Sequence, residues 1–201
     1  MMPMVITKSF GALPISKKEI LRYAGCGEAN AETLSLLEEC LKETGDRLSL
    51  KVCYTTLPVK MEGSAVDCSL FAVNSKDLAK NLAGCRRVVV FCATIGMEFD
   101  RLIARYSHLS PAKALMLQAI GTERVEALCD AFCRTLESES GISCRPRFSC
   151  GYGDLDIETQ KKIFSLLQCQ KHIGVYLNGS LLMTPTKSVT AFVGVDASDM
   201  R

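Results

Sequence analysis

Hydrophobic spacing alternates between two periods along this chain, and each change of period marks a predicted element. Lys17 to Ala24 carries a short amphipathic repeat opened near Ser16 and stopped by Gly25 and Gly27. From Asn30 to Thr44, Leu34, Leu37 and Leu41 recur at helical spacing while glutamates fill the outer face, and Gly45 closes the stretch. Leu48 to Leu57 then reads as a strand. A turn through Glu62-Gly63-Ser64 leads to Ala65–Val73, where Val66, Cys68, Leu70 and Ala72 alternate with Asp67, Ser69 and Phe71, so an antiparallel pair is expected. Ser75 is placed to cap a helix reaching Leu82, with Gly84 behind it. Arg87 to Ala93 has no polar alternation, which predicts a central strand covered on both faces.

The second half continues in kind. Thr94-Ile95-Gly96 turns into a helix over about Glu98–Tyr106. Ser110 and Pro111 open the longest helix, from Ala112 to about Glu137, where proline at the first turn sacrifices no hydrogen bond, and Gly141 ends it. Ser143–Asp154 lacks periodicity. Leu155–Leu167 returns as an amphipathic helix, and Ile173–Leu177 and Val189–Val195 are expected as closing strands. Strands in hairpin order with helices gathered between them predict an α+β fold: a mixed, largely antiparallel twisted sheet with flanking helices. Residues 1–47 are read as an N-terminal helical segment and residues 48–201 as the α+β core, together one compact unit.

Composition narrows the function classes. The 24 basic and 22 acidic residues nearly balance, and no dense Lys/Arg cluster offers a footprint for nucleic acid. The first ten residues hold one lysine and no long apolar run, so no secretory signal is visible, and no apolar stretch is long enough to cross a membrane. A cytoplasmic protein is expected. Eleven cysteines form no Cys-x-x-Cys pair, and the count is odd, so they are read as free thiols acting as small hydrophobes in a reducing compartment. Cys129 and Cys133 stand one helical turn apart without a third or fourth ligand, so no metal site is assigned. His172 and the Gly25-Cys26-Gly27 triplet are likewise given no role.

Chemistry concentrates in Arg145-Pro146-Arg147-Phe148-Ser149-Cys150-Gly151-Tyr152-Gly153-Asp154. Glycine lets backbone groups approach a ligand closely, arginine offers a planar fork for a carboxylate, and tyrosine gives a rigid ring with a polar tip. Such a segment can clamp a small zwitterion; it can equally be an ordinary glycine turn with solvated arginines.

The segment resembles the S-adenosylmethionine-binding stretch of the reactivation domain of cobalamin-dependent methionine synthase, which usually reads Arg-x-x-Pro-Gly-Tyr. Arg147, Ser149, Gly151 and Tyr152 stand in register, and Cys150 occupies the proline position. Free-standing members of that family supply further landmarks in the same order: Phe91-Cys92-Ala93-Thr94-Ile95-Gly96, then Glu126 and Asp130 on a long helix, then Glu158 to Phe164, then Pro185-Thr186-Lys187-Ser188-Val189. The likeness covers roughly residues 50 to 195. Two family contacts have no counterpart: an N-terminal Asp among residues 1–50, and a late tyrosine, where Val189 and Thr190 stand.

The resemblance implies a methionine synthase activation domain-like fold that binds S-adenosylmethionine and presents its methyl group for reductive methylation of cob(II)alamin. The cobalamin would be held by a methionine synthase or related corrinoid protein, with electrons from a flavodoxin- or ferredoxin-type donor. By analogy Arg147 would hold the methionyl carboxylate, backbone groups at Ser149 and Gly151 would meet the ligand, Tyr152 would pack beside it, and Glu126 would take a polar group. No residue is expected to act as acid or base, because the chemistry needs positioning: reacting atoms within roughly 3–3.5 Å and in line. The replaced proline and missing contacts motivate a second reading, a non-catalytic docking partner or chaperone of a corrinoid protein. A third is an unrelated small-substrate methyltransferase.

Overall fold

Arg87–Thr94 forms the middle of the molecule because seven of its eight side chains are buried, leaving neither face to solvent. The computed structural model of the chain describes residues 3–195, apart from the side chains of Asp46 and Ser140. The first strands and helices are β1 (Ile6–Ser9), α1 (Lys17–Tyr23), α2 (Ala31–Thr44) and β2 (Lys51–Pro58). There follow β3 (Lys60–Glu62), β4 (Ala65–Asp67), β5 (Ala72–Asn74), α3 (Lys76–Asn81), β6 (Arg87–Thr94), α4 (Met97–Leu109) and α5 (Pro111–Ser140). The chain closes with β7 (Phe148–Ser149), α6 (Thr159–Leu167), α7 (Cys169–Ile173), β8 (Tyr176–Leu177), β9 (Met183–Thr184) and β10 (Ser188–Val195). The main sheet runs β1-β2-β6-β10-β7, and each neighbouring pair is antiparallel. The fold is α+β, as the pattern predicted.

Side-chain alternation divides two cores across this sheet. Val89, Phe91 and Ala93 of β6, with Ala191, Val193 and Val195 of β10, point to one face. There they meet Ile20 of α1, Leu37 of α2, Phe99 of α4, and Ile120, Leu128 and Phe132 of α5. Val88, Val90, Cys92 and Phe192 point to the other face, against Leu78 of α3, Ile163 and Leu167 of α6, and Val66 and Val73 of the small β3-β4-β5 sheet. Several helix boundaries follow their caps. Side-chain oxygens of Ser16, Asn30 and Ser75 accept from Glu19, Thr33 and Leu78 N–H, and Gly141 takes the left-handed conformation that ends α5.

Three expectations need correction. Leu48–Leu57 and Ala65–Val73 do not form a hairpin with each other: β2 pairs β1 and β6, while β4 pairs β3 and β5. The run over 65–73 is broken by a tight turn in which Cys68 N–H donates to Phe71 C=O and Ser69 adopts positive φ. Beyond that turn the phase inverts, so Leu70 and Ala72 face outward while Phe71 packs against Phe192 and Val73 is buried. The helix expected from Leu155 begins at Thr159. Ile173–Leu177 is not a strand of the main sheet, because Gln168 at φ +46° and Gly174 at φ +72° bracket the short helix α7 and leave Tyr176–Leu177 to pair only locally with β9.

Ile6–Ser9 was not anticipated as a strand; it forms one edge of the main sheet, with Ile6 opposite Tyr54. The neighbouring segment is fixed by a buried ion pair on α5. The Arg124 guanidinium donates to Glu123 and to the carbonyls of Leu13 and Pro14, and Glu123 accepts from Ser16 N–H at 2.9 Å. Both side chains are almost wholly excluded from solvent, so these bonds satisfy charges that would otherwise be costly. All eleven cysteines are free thiols, and seven are buried. Among the described residues, no group of His, Cys, Asp and Glu side chains could hold a metal ion, and no helix is long and apolar enough to cross a membrane.

Candidate functional site

Helix α5 packs on β6, and its fourth-residue periodicity aligns Thr122, Glu126 and Asp130 along one line that side chains beside β7 and β10 reach. On the sheet below, parity selects what faces that line. Val189 and Ala191 of β10 belong to the α5-side core, and Ala191 lies opposite Ser149 of β7. Ser149 therefore shares their face, and Arg147, two residues earlier, shares it too. Phe148 points the opposite way, into the second core.

Arg147 bridges the gap between the two elements. One terminal nitrogen donates to Glu126 Oε2 at 2.8 Å and the other to Asp130 Oδ1, so the guanidinium fork is spread across two carboxylates one helical turn apart. Burial opposes the charge on Arg147, but the hydrogen bond and charge of Asp130, with Cys129 and Glu126, outweigh it and hold the group above its ordinary range. The trio keeps one negative charge in excess. Further along the same line, Lys187 reaches Thr122 Oγ1 at 3.0 Å, its stem lying over Gly121. Thr122 spends its own proton on Gln118 C=O, leaving a lone pair for the ammonium. Burial lowers Lys187 below the usual lysine range, with Asp100 acting the other way.

The glycine turn after β7 is closed upon itself. Gly151 N–H donates to Leu155 C=O at 2.8 Å and Tyr152 N–H to Ser149 C=O at 3.2 Å. Gly151 has φ +81°, and a Cβ there would come within 3.0 Å of Ile157 Cδ1, so a side chain is both strained and crowded. Gly153 sits against α3, where an added Cβ would fall 2.4 Å from Asp77 Oδ2. Asp154 then caps that helix: its carboxylate accepts from the Ser75 hydroxyl, from Lys76 N–H at 2.8 Å and from Asp77 N–H at 3.2 Å. These donors, the Ser75 hydroxyl foremost, hold the Asp154 carboxyl below the usual carboxylate range. The turn after β7 is thus pinned to the start of α3.

Residues 73–198 match the family model for the activation domain of vitamin B12 dependent methionine synthase. The chain belongs to that family. The crystal structure of the MetH reactivation domain bound to AdoHcy is similar in fold, with a TM-score of 0.70 over 96% of this chain and 78% of that one, at 14% sequence identity. At that identity the likeness establishes architecture alone. Among proteins of curated function, none matches the sequence.

Within this activation domain the expected site residues separate into two groups. Arg147 and Glu126 are in direct contact, Asp130 joins them, and Ser149 lies on the same face. Gly151 shapes the turn, but the Gly151 and Tyr152 amides are already bonded within it. Tyr152 is 71% exposed, and its ring packs edge-on against Phe148 at 5.7 Å, on the side of the strand away from Arg147. Cys150, in the family's proline position, is turned toward the second core, where burial pushes its thiol up to about 12 and the Thr190 hydroxyl pulls the other way. Sequence reasoning gave no role to Lys187 or Thr122. The signal was available: Lys187 has the parity of Val189 and Ala191, and Thr122 precedes Glu126 by one turn.

Proposed function

We propose that this activation domain binds S-adenosylmethionine where Arg147, beside the β7 edge, meets Glu126 and Asp130 of α5. It would present the sulfonium methyl group to a reduced corrinoid carried by a cobalamin-dependent methionine synthase or related partner, with an external flavodoxin- or ferredoxin-type donor supplying the electron. The observation that carries the reading is the Arg147–Glu126–Asp130 trio, in a chain whose family is that of activation domains.

The residues present suit such a ligand. S-adenosylmethionine carries two positive groups and one negative group, a net charge of one, and the trio's excess negative charge is its complement. Glu126 and Asp130 face the ligand's ammonium and sulfonium, while Arg147 keeps the two acids apart and fixed. Ser149 lies on the same face of the sheet as Arg147 and Ala191. Gly151 sets the angle of the strand edge, while the exposed Tyr152 ring lies with Phe148 on the opposite side of it. Bound S-adenosylmethionine supplies an activated methyl group, and the partner's reduced cobalt supplies the nucleophile. The chain's own contribution is orientation, which alone can lower such a barrier by roughly 7–11 kcal/mol.

Titration calorimetry with S-adenosylmethionine tests the reading. The wild-type chain should bind, and Arg147→Ala should weaken binding by roughly tenfold or more, because two crowded carboxylates lose their common cation. Absence of measurable heat with the wild-type protein at millimolar ligand overturns the proposal. A chain that captures a corrinoid protein with undiminished affinity after Arg147→Ala, and binds no S-adenosylmethionine, would instead be a docking partner.

A further inference from the structure

Arg147 was expected to receive the methionyl carboxylate, yet its fork is spread across Glu126 and Asp130. A ligand carboxylate arriving there would meet two like charges for one cation. Lys187 presents the opposite case. It stands on the same face, the only hydrogen-bond partner of its ammonium among the described residues is the neutral Thr122 hydroxyl, and none of their carboxylates lies within ion-pair distance. The nearest acid in electrostatic terms, Asp100, has its two oxygens engaged by Thr186 N–H at 2.7 Å and Thr186 Oγ1 at 2.8 Å. An ammonium has three protons, so two remain for a ligand.

Resting on the proposed S-adenosylmethionine reading, we infer that Lys187, held by Thr122, is the subsite for the ligand's carboxylate. The Arg147–Glu126–Asp130 trio then takes its positive groups.

Spacing supports this polarity. Thr122 and Glu126 are four residues apart, a rise of about 6 Å along the helix, and the carboxylate and sulfonium of a methionyl group are separated by a similar length of chain. The stem of Lys187 is seated with little freedom. A Cβ on Gly121 would lie 2.9 Å from both its Cγ and its Cε, so the glycine makes room for the lysine to lie flat across α5. Ser188, the next residue, is tied down by its hydroxyl to Thr94 Oγ1 and Pro185 C=O, which fixes the backbone from which Lys187 projects. Burial of the stem also partly desolvates the ammonium, which favours an anionic partner when one arrives.

Calorimetry on the full chain with S-adenosylmethionine and with its decarboxylated analogue separates the possibilities. Wild type should prefer the carboxylated ligand by roughly 10- to 100-fold, the range of a charge-assisted hydrogen bond. Lys187→Met, which keeps the stem, should lose that preference while binding the decarboxylated analogue as wild type does. Lys187→Arg should retain most of it. Arg147→Ala should weaken both ligands and keep the preference. This last arm stands even if Lys187→Met folds poorly. Preference retained in Lys187→Met, or abolished in Arg147→Ala, overturns the Lys187 assignment, while binding by wild type still upholds the functional reading. Failure of wild type to bind either ligand removes both.

Discussion

Gly121 shows how one missing side chain organises the site. An alanine Cβ would come within 2.5 Å of Phe99 Cε1 and 2.9 Å of the Lys187 stem, so Gly121→Ala trades a small gain in helix propensity for overpacking. A loss of about 1–3 kcal/mol in urea unfolding is expected, accompanied by weaker ligand binding as Lys187 is displaced. A loss of stability with unchanged affinity would separate the glycine from the site. Asp154 allows a second expectation at this scale. Its carboxyl is held below the usual value near 3.8 in the folded chain, so its contribution is complete above that value and is lost as pH falls through the folded-state value. Asp154→Asn should therefore lower the melting temperature at pH 7 and flatten its fall on acidification. A mutant melting curve parallel to wild type down to pH 3 would contradict this. Gly151 and Tyr152 were legible in the sequence as a turn, but not that their amides bond internally, because the partners Leu155 C=O and Ser149 C=O follow from backbone angles.

At the scale of elements, α5 is the organiser. One side buries Leu128 and Phe132 against the sheet, another carries Thr122, Glu126 and Asp130 toward β10 and β7, and a third holds the buried Glu123–Arg124 pair against Leu13–Ser16. Removing one partner strands a charge that water cannot reach. Arg124→Met should cost about 3–5 kcal/mol in chemical denaturation, and the paired replacement of Glu123 and Arg124 by apolar residues much less. Equal losses in the single and double variants would show that the bonds to Leu13 and Pro14, and not the stranded acid, dominate. The helix was readable from its capping serine and periodicity. That Arg124 is buried was not, since the carbonyls that complete its bonding lie more than a hundred residues away in the N-terminal segment.

For the whole molecule, residues 6–9 complete the sheet and α1 and α2 cover the same core as α4 and α5. One cooperative transition is therefore expected, with tertiary and secondary signals of thermal unfolding superimposed. An earlier melt of the N-terminal helices would divide the chain near residue 47. What the sequence determined by itself is local: where the helices capped by Ser16, Asn30, Ser75 and Ser110 start, and that Arg87–Thr94 is central. Those features depend on caps, on periodicity and on residue type, all of which are encoded within a few neighbours. The tertiary structure decided strand partners and charge partners. Only there does β2 choose β1 and β6 over β4, does Arg147 meet two acids, and does the Lys187 ammonium find the Thr122 hydroxyl. Pairings of that kind turn on the three-dimensional packing of distant segments, and a buried charge selects its neighbour by desolvation, which no local pattern records.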